Sequence, residues 1–136
     1  MATTIEAPEL SRTTVGQAMH RGVFTCRGEA SALTAARVMA AHRVHSVVVV
    51  DDNGSCIGVV TEADIAAAIH AGTIMERSAD VGAAPVLVTP DDSVLRAAQL
   101  MDELERTHAL VVDARSEKPV GVLSVLDLVD LLVEDL

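Results

Sequence analysis

The chain has 136 residues, half of them apolar, and a formal net charge of −10 from 20 acidic and 10 basic side chains. That field repels phosphate backbones and anionic membranes, and with Phe24 as the single aromatic residue no platform exists for stacked bases, so neither nucleic acid nor membrane is an expected partner. No apolar stretch approaches the roughly 20 residues of a bilayer span, Met1 to Leu10 lacks the basic-then-apolar order of a secretory signal, and Cys26 and Cys56, far apart in apolar runs, read as buried free thiols of a cytoplasmic protein.

In chain order, residues 1–12 read as an N-terminal tail and 13–71 as a first folded repeat. The repeat opens on a β segment, Val23 to Cys26. An amphipathic helix from Ser31 to about His42 follows, with Leu33, Ala36, Val38 and Met39 at helical spacing and Ser31 at the N-cap. Two β runs, Ser46 to Val50 and Cys56 to Val60, flank Asn53-Gly54, a pair that tolerates positive φ and marks a tight hairpin. A helix from Thr61 to about Ala71 closes the unit. Residues 72–80 read as a linker and 81–136 as a second repeat: β from Val86 to Val88, helix from Ser93 to about Arg106, β from Ala109 to Val112, a turn through Asp113 to Pro119, β to Leu123, and helix from Ser124 to about Glu134.

The two halves are one pattern written twice. Leu33-Thr-Ala-Ala-Arg-Val-Met39 aligns with Leu95-Arg-Ala-Ala-Gln-Leu-Met101 at an offset of 62, and Gly58-Val-Val-Thr61 with Gly121-Val-Leu-Ser124 at 63. One residue inserted in the turn around Ser116 to Lys118 accounts for the change, and a turn is where a repeat tolerates insertion. The expected fold class is therefore α/β (α+β), two β-α-β-β-α repeats packed with pseudo-two-fold symmetry. A single copy of about 55 residues would bury its sheet poorly alone.

The chemistry-bearing feature is Gly58-Val-Val-Thr61-Glu-Ala-Asp64-Ile65, echoed by Gly121-Val-Leu-Ser124-Val-Leu-Asp127-Leu128. A strand ends at a hydroxyl residue and an acid follows three positions on. One reading is a capping box, with the hydroxyl and the acid satisfying backbone N–H groups at the helix start. The other is a ligand site, because the helix dipole favours anions there and a carboxylate can accept two neighbouring ribose hydroxyls. Spacing alone leaves both open. No phosphate-binding Gly-Lys-Ser/Thr loop or nucleophile elbow is present, so no catalytic residue is nominated. His42 and His45 lack a carboxylate or cysteine partner in sequence, so no metal site is nominated either.

With both signatures in register inside the repeated frame, the chain resembles a tandem pair of CBS domains, the Bateman module, over about residues 13–134. The resemblance implies a stand-alone regulatory module, not an enzyme. It would sense AMP, ADP, ATP or S-adenosylmethionine in clefts between the repeats, hold no resident cofactor, and act in trans on an unknown effector protein. Asp64 with Thr61, and Asp127 with Ser124, would hold ribose and phosphate. Adenine would lie against Val23, Phe24 and Thr25 in one cleft and Val86, Leu87 and Val88 in the other. His45 and Ser46, and Thr107 and His108, would face phosphate, the alternative for these histidines being a solvated strand end.

Two departures stand out: Val48 and Leu110 occupy places where the family often has proline, and Glu62-Ala63 becomes Val125-Leu126 in the second motif. The latter favours Asp64 as the active cleft. A net charge of −10 favours AMP, ADP or S-adenosylmethionine over ATP, with His20, Arg21, His42, Arg43 and His45 grouped in the first copy as the nearby cations. The last helix carries apolar residues over too wide an arc for one buried face, which implies a homodimer. The competing reading is a homodimeric scaffold of the same fold with no physiological nucleotide.

Overall fold

The structure, a computed structural model, describes residues 7–134. The chain divides into two compact units: Val23–Pro85, and the residues up to Gly22 together with those from Val86 onward.

The unit Val23–Pro85 contains strands β2 (Thr25–Arg27), β3 (Ser46–Val50) and β4 (Cys56–Thr61) in the order β2-β3-β4, with helices α3 (Ala32–His42), α4 (Glu62–Ala71) and α5 (Ser78–Val81). β2 runs parallel to β3, and β3 pairs antiparallel with β4. β3 is an uninterrupted valine run because it is the central strand, and its Val47 and Val49 join Cys26, Ala35, Met39 and Val60 in the core of this unit. Ser31 caps α3, its Oγ accepting from the Thr34 N–H at 3.2 Å. Arg43 ends that helix in the left-handed conformation.

The other unit contains α1 (Ala7–Arg12), α2 (Val15–Ala18), β1 (His20–Arg21), β5 (Val86–Val88), α6 (Val94–Glu103), β6 (His108–Val112), β7 (Pro119–Ser124) and α7 (Val125–Glu134). Its sheet has the order β1-β7-β6-β5. Val15, Val86, Val88, Ala97, Met101, Ala109, Val111 and Leu123 form its core. Ser93 caps α6 as Ser31 caps α3, accepting from the Arg96 N–H at 3.0 Å. Mixed parallel and antiparallel pairing with helices gives the α/β class expected from the sequence.

Two stretches differ from their expected character. Of the expected tail, residues 1–6 lie outside the described residues, while Ala7–Arg12 form α1 and pack against α6. The expected linker at 72–80 is hydrogen-bonded throughout: Ala32 N–H donates to Glu76 O at 2.8 Å, Leu33 N–H to Ile74 O at 2.9 Å, and fully buried Ser78 donates its hydroxyl to Ser31 O at 3.0 Å. Both segments carry too few residues for a periodic signal, and the second acquires its structure from long-range backbone pairing.

That pairing extends the duplication. In one unit the backbones of Val59 and Ala83 exchange both hydrogen bonds at 3.0 Å. In the other, β1 runs antiparallel to β7, with His20 opposite Val122 and Arg21 opposite Gly121. Likewise Ser31 bridges Arg77, and Ser93 bridges Thr14. Each unit is thus completed by the segment that precedes the first strand of the other unit's sequence repeat: residues up to Gly22, ahead of β2, join β7, and residues 72–85, ahead of β5, join β4. A Cβ on Gly121 would stand 2.5 Å from His20 O, so only glycine admits β1 at this distance, whereas on Gly58 it would meet Ala83 O at 3.5 Å.

Candidate functional site

The two Thr/Ser-x-x-Asp motifs each sit where an antiparallel strand turns directly into a helix. Thr61 ends β4 and caps α4: its Oγ accepts from the Asp64 N–H at 3.3 Å, while Asp64 Oδ2 accepts from the Thr61 N–H at 2.8 Å and from the Thr61 hydroxyl at 3.1 Å. Ser124 and Asp127 repeat the arrangement before α7, with Ser124 N–H to Asp127 Oδ2 at 2.7 Å and Asp127 N–H to Ser124 Oγ at 3.2 Å. Both motifs are therefore capping boxes, each worth about 1 kcal/mol. The capping role uses one carboxylate oxygen and leaves the other for a second task.

The second oxygen distinguishes the copies. Asp127 Oδ1 lies 2.7 Å from His20 Nε2, and Asp127 is 8% exposed. Asp64 is half-buried, and Oδ1 has no hydrogen bond or ion pair among the described residues. The place corresponding to His20 is held by Ala83, whose methyl group cannot donate.

Around Asp64 the expected residues converge on one end of their sheet. Ser46 opens β3 directly opposite Thr61. His45 precedes it and places Nδ1 3.0 Å from Glu62 Oε2, while its carbonyl accepts the Glu62 N–H at 3.2 Å. Phe24 is 41% exposed just before β2, and its ring stacks on His42 with centroids 4.0 Å apart and planes 15° from parallel. Its carbonyl accepts the Val48 N–H at 2.9 Å, a bond that proline at that position would lack a donor to make. Val23 is half-buried and Thr25 exposed. The Phe24–His42 stack and the His45–Glu62 pair were not anticipated from sequence.

At the second motif, His108 opens β6 opposite Ser124, with Nδ1 2.9 Å from Thr107 Oγ. Val86 and Val88 are both 2% exposed and committed to the core, and only Leu87 turns outward. Thr25 pairs with Val48 and Leu87 with Leu110, so Phe24, Thr25 and Cys26 correspond in register to Val86, Leu87 and Val88. The first copy carries one additional residue ahead of β2. The grouping of five cations in the first copy is corrected by the fold, since β1 takes His20 and Arg21 to β7 in the other unit and leaves His42, Arg43 and His45 in the unit of Asp64.

Both cysteines are free thiols. Burial pushes the Cys26 thiol up, partly offset by a hydrogen bond with Ser78, and burial does the same to Cys56, partly offset by a backbone hydrogen bond with Gly58. Among the described residues no three His, Cys, Asp or Glu side chains converge as metal ligands, and no helix is long and apolar enough to cross a membrane.

Comparison with known proteins gives a consistent picture. A CBS domain protein from Pyrobaculum aerophilum, solved in complex with AMP, is 25% identical, with a TM-score of 0.81 over 89% of this chain and 96% of that one. A CBS domain pair solved with 5′-methylthioadenosine and S-adenosyl-L-methionine is 23% identical, with a TM-score of 0.79 over 91% of this chain and 98% of that one. Homoserine O-acetyltransferase from Methanococcoides burtonii is 30% identical over 120 residues, which are 88% of this chain but 24% of that protein, so the chain spans about a quarter of that relative. The CBS domain family model matches twice, at residues 15–71 and 72–134, and the chain belongs to the CBS domain family as a tandem pair.

Proposed function

We propose that the chain is a regulatory module that binds an adenosine-containing ligand at the Asp64 site and conveys its occupancy to a partner protein. The observation carrying this reading is the uncommitted Asp64 Oδ1 beside a strand-to-helix turn, where a ribose can offer two hydroxyls to one carboxylate. Thr61, Ser46 and His45 supply polar contacts for ribose and phosphate, with Phe24 and Thr25 presented for the base. Val23 completes this set; at the second motif Ser124, Asp127, His108, Leu87 and the backbone of Val86 and Val88 form the weaker candidate. AMP bound to the Pyrobaculum relative and S-adenosyl-L-methionine bound to the other CBS pair support the ligand class. His42, Arg43 and His45 against a net charge of −10 favour a ligand with few phosphates over ATP. The activity of homoserine O-acetyltransferase is not carried over, because the match covers a quarter of that protein. The proposed setting is the cytosol, where free thiols persist.

A thermal-shift series with AMP, ATP and S-adenosylmethionine tests this. AMP or S-adenosylmethionine raises the melting temperature by several degrees, and Asp64→Ala removes the effect, since a ligand stabilises only the state it binds. No shift with any of the three rejects the reading. A second reading, a homodimeric interaction protein without a nucleotide, would then take its place. It is favoured by Val125, Leu126, Val129 and Val133 of α7, which are 42%, 62%, 43% and 63% exposed. Sedimentation of the ligand-free chain at the mass of a monomer would count against that dimer.

A further inference from the structure

We infer that His20 is an internal gate on the second motif, occupying the Asp127 oxygen that a ligand would need and thereby making one protein chain from two unequal sites. The inference rests on the proposed function, because it identifies which of two similar acids is available to the ligand.

The contact is specific in its geometry. Asp127 has two oxygens: Oδ2 serves the Ser124 N–H at 2.7 Å and Oδ1 serves His20 Nε2 at 2.7 Å. An imidazole donates from Nε2 either as the cation or as the neutral tautomer carrying its proton there. His20 takes one of the two acceptor positions of Asp127 Oδ1, so a ribose that brings two hydroxyls to this oxygen must displace it, whereas at Asp64 it displaces nothing built into the chain.

Several features hold His20 in place. Val15 is fully buried in the core, its N–H donates to Asp92 O at 2.7 Å, and the Gly16 N–H donates to Pro90 O at 2.9 Å. Thr14 caps α2 and accepts from the Gln17 N–H at 3.2 Å. β1 then pairs with β7, Gly22 N–H donates to Val120 O at 2.8 Å, and the bare Cα of Gly121 admits the His20 backbone. The His20 side chain itself is 80% exposed, so its backbone is fixed while its ring is able to swing out into water. A ring held by one hydrogen bond is a gate and not a permanent plug. The equivalent position on the other copy is Ala83, and among the described residues no side chain pairs with Asp64 Oδ1 there.

Isothermal titration of the full chain with AMP, and separately with S-adenosylmethionine, tests the gate. Amide NMR shifts at Thr61 and Ser124 assign each binding component to its site. The wild type shows a tight component at Thr61 and one at least about tenfold weaker at Ser124. His20→Ala tightens the Ser124 component by about tenfold, the scale of one hydrogen bond to an ionised group, and leaves the Thr61 component unchanged. Because the His20 ring is exposed, this variant retains the fold. Equal components in the wild type, or less than a twofold change in His20→Ala, overturn the gate and leave the proposed function standing. Binding only by His20→Ala, and only at Ser124, upholds the gate and rejects Asp64 as the ligand site. No binding of either compound by wild type and variant rejects both.

Discussion

The two strand-to-helix turns share a backbone, a cap and an acid, yet differ in what reaches the acid from across the sheet. Asp64 faces a segment ending in Ala83, and Asp127 faces one ending in His20. The hydroxyl residue and the acid of the two motifs cap alike; the side chain that separates the two acids, His20, lies about a hundred positions away in sequence from the one it touches. The repeated pattern therefore gives two like capping geometries, and the neighbouring segment, with His20 in one unit and Ala83 in the other, sets what lies beside each. Function in a repeat protein of this kind cannot be assigned motif by motif.

The comparison breaks most visibly at the paired glycines. Gly121→Ala forces a methyl group against the His20 carbonyl at 2.5 Å and is expected to cost about 1–3 kcal/mol in urea unfolding as overpacking. Gly58→Ala meets only an ordinary 3.5 Å contact and stays within about 0.5 kcal/mol of wild type. Equal costs would show that β1 does not press on β7 as described. A smaller effect tests the part the copies share. Thr61→Ala and Ser124→Ala each remove an N-cap hydroxyl and should cost about 1 kcal/mol, alike in both repeats. A markedly larger loss for one would mean that its hydroxyl does more than cap.

The smallest effect concerns the hairpin turn holding the inserted residue. Asp113 Oδ1 accepts from the Arg115 and Ser116 N–H groups, both at 2.9 Å, and these bonds hold its carboxyl below the usual aspartate value. A carboxyl lowered in the folded state binds its proton more weakly there than in the unfolded chain. Its stabilising contribution is therefore present above the ordinary aspartate range and lost as pH falls through it. Asp113→Asn should lower the neutral plateau slightly and flatten the acid side of the stability–pH profile by the same amount, leaving stability at the lowest pH nearly unchanged. A steeper acid limb in the variant would contradict the assignment.

Much of the fold was legible in the residues. Ser46–Val50 and Val86–Val88 coincide with observed strands because uninterrupted valine-rich runs bounded by turn residues leave little alternative. Ser31 and Ser93 cap as expected, since a hydroxyl before an apolar helical stripe is a local signal. The helix drawn to Arg106 ends earlier, at Glu103, with Glu105 in the left-handed region, because capping at the carboxyl end had no glycine to announce it. The two-residue strand β1 and the bridge at Ala83 were not legible. Neither has a period, and each exists only through backbone bonds to a partner distant in sequence.

The candidate site divides along the same line. Sequence alone determined the duplicated frame, the capping motifs and the family to which they point, because these depend on short local patterns and on their recurrence at offsets of 62 and 63. Tertiary structure decided which carboxylate oxygen is engaged, that Phe24 stacks on His42, that Val86 and Val88 belong to the core, and that His20 and Arg21 leave the first copy for β7. Each of these turns on which strand lies beside which, and strand pairing between remote segments is a property of the folded chain and not of any local run of residues.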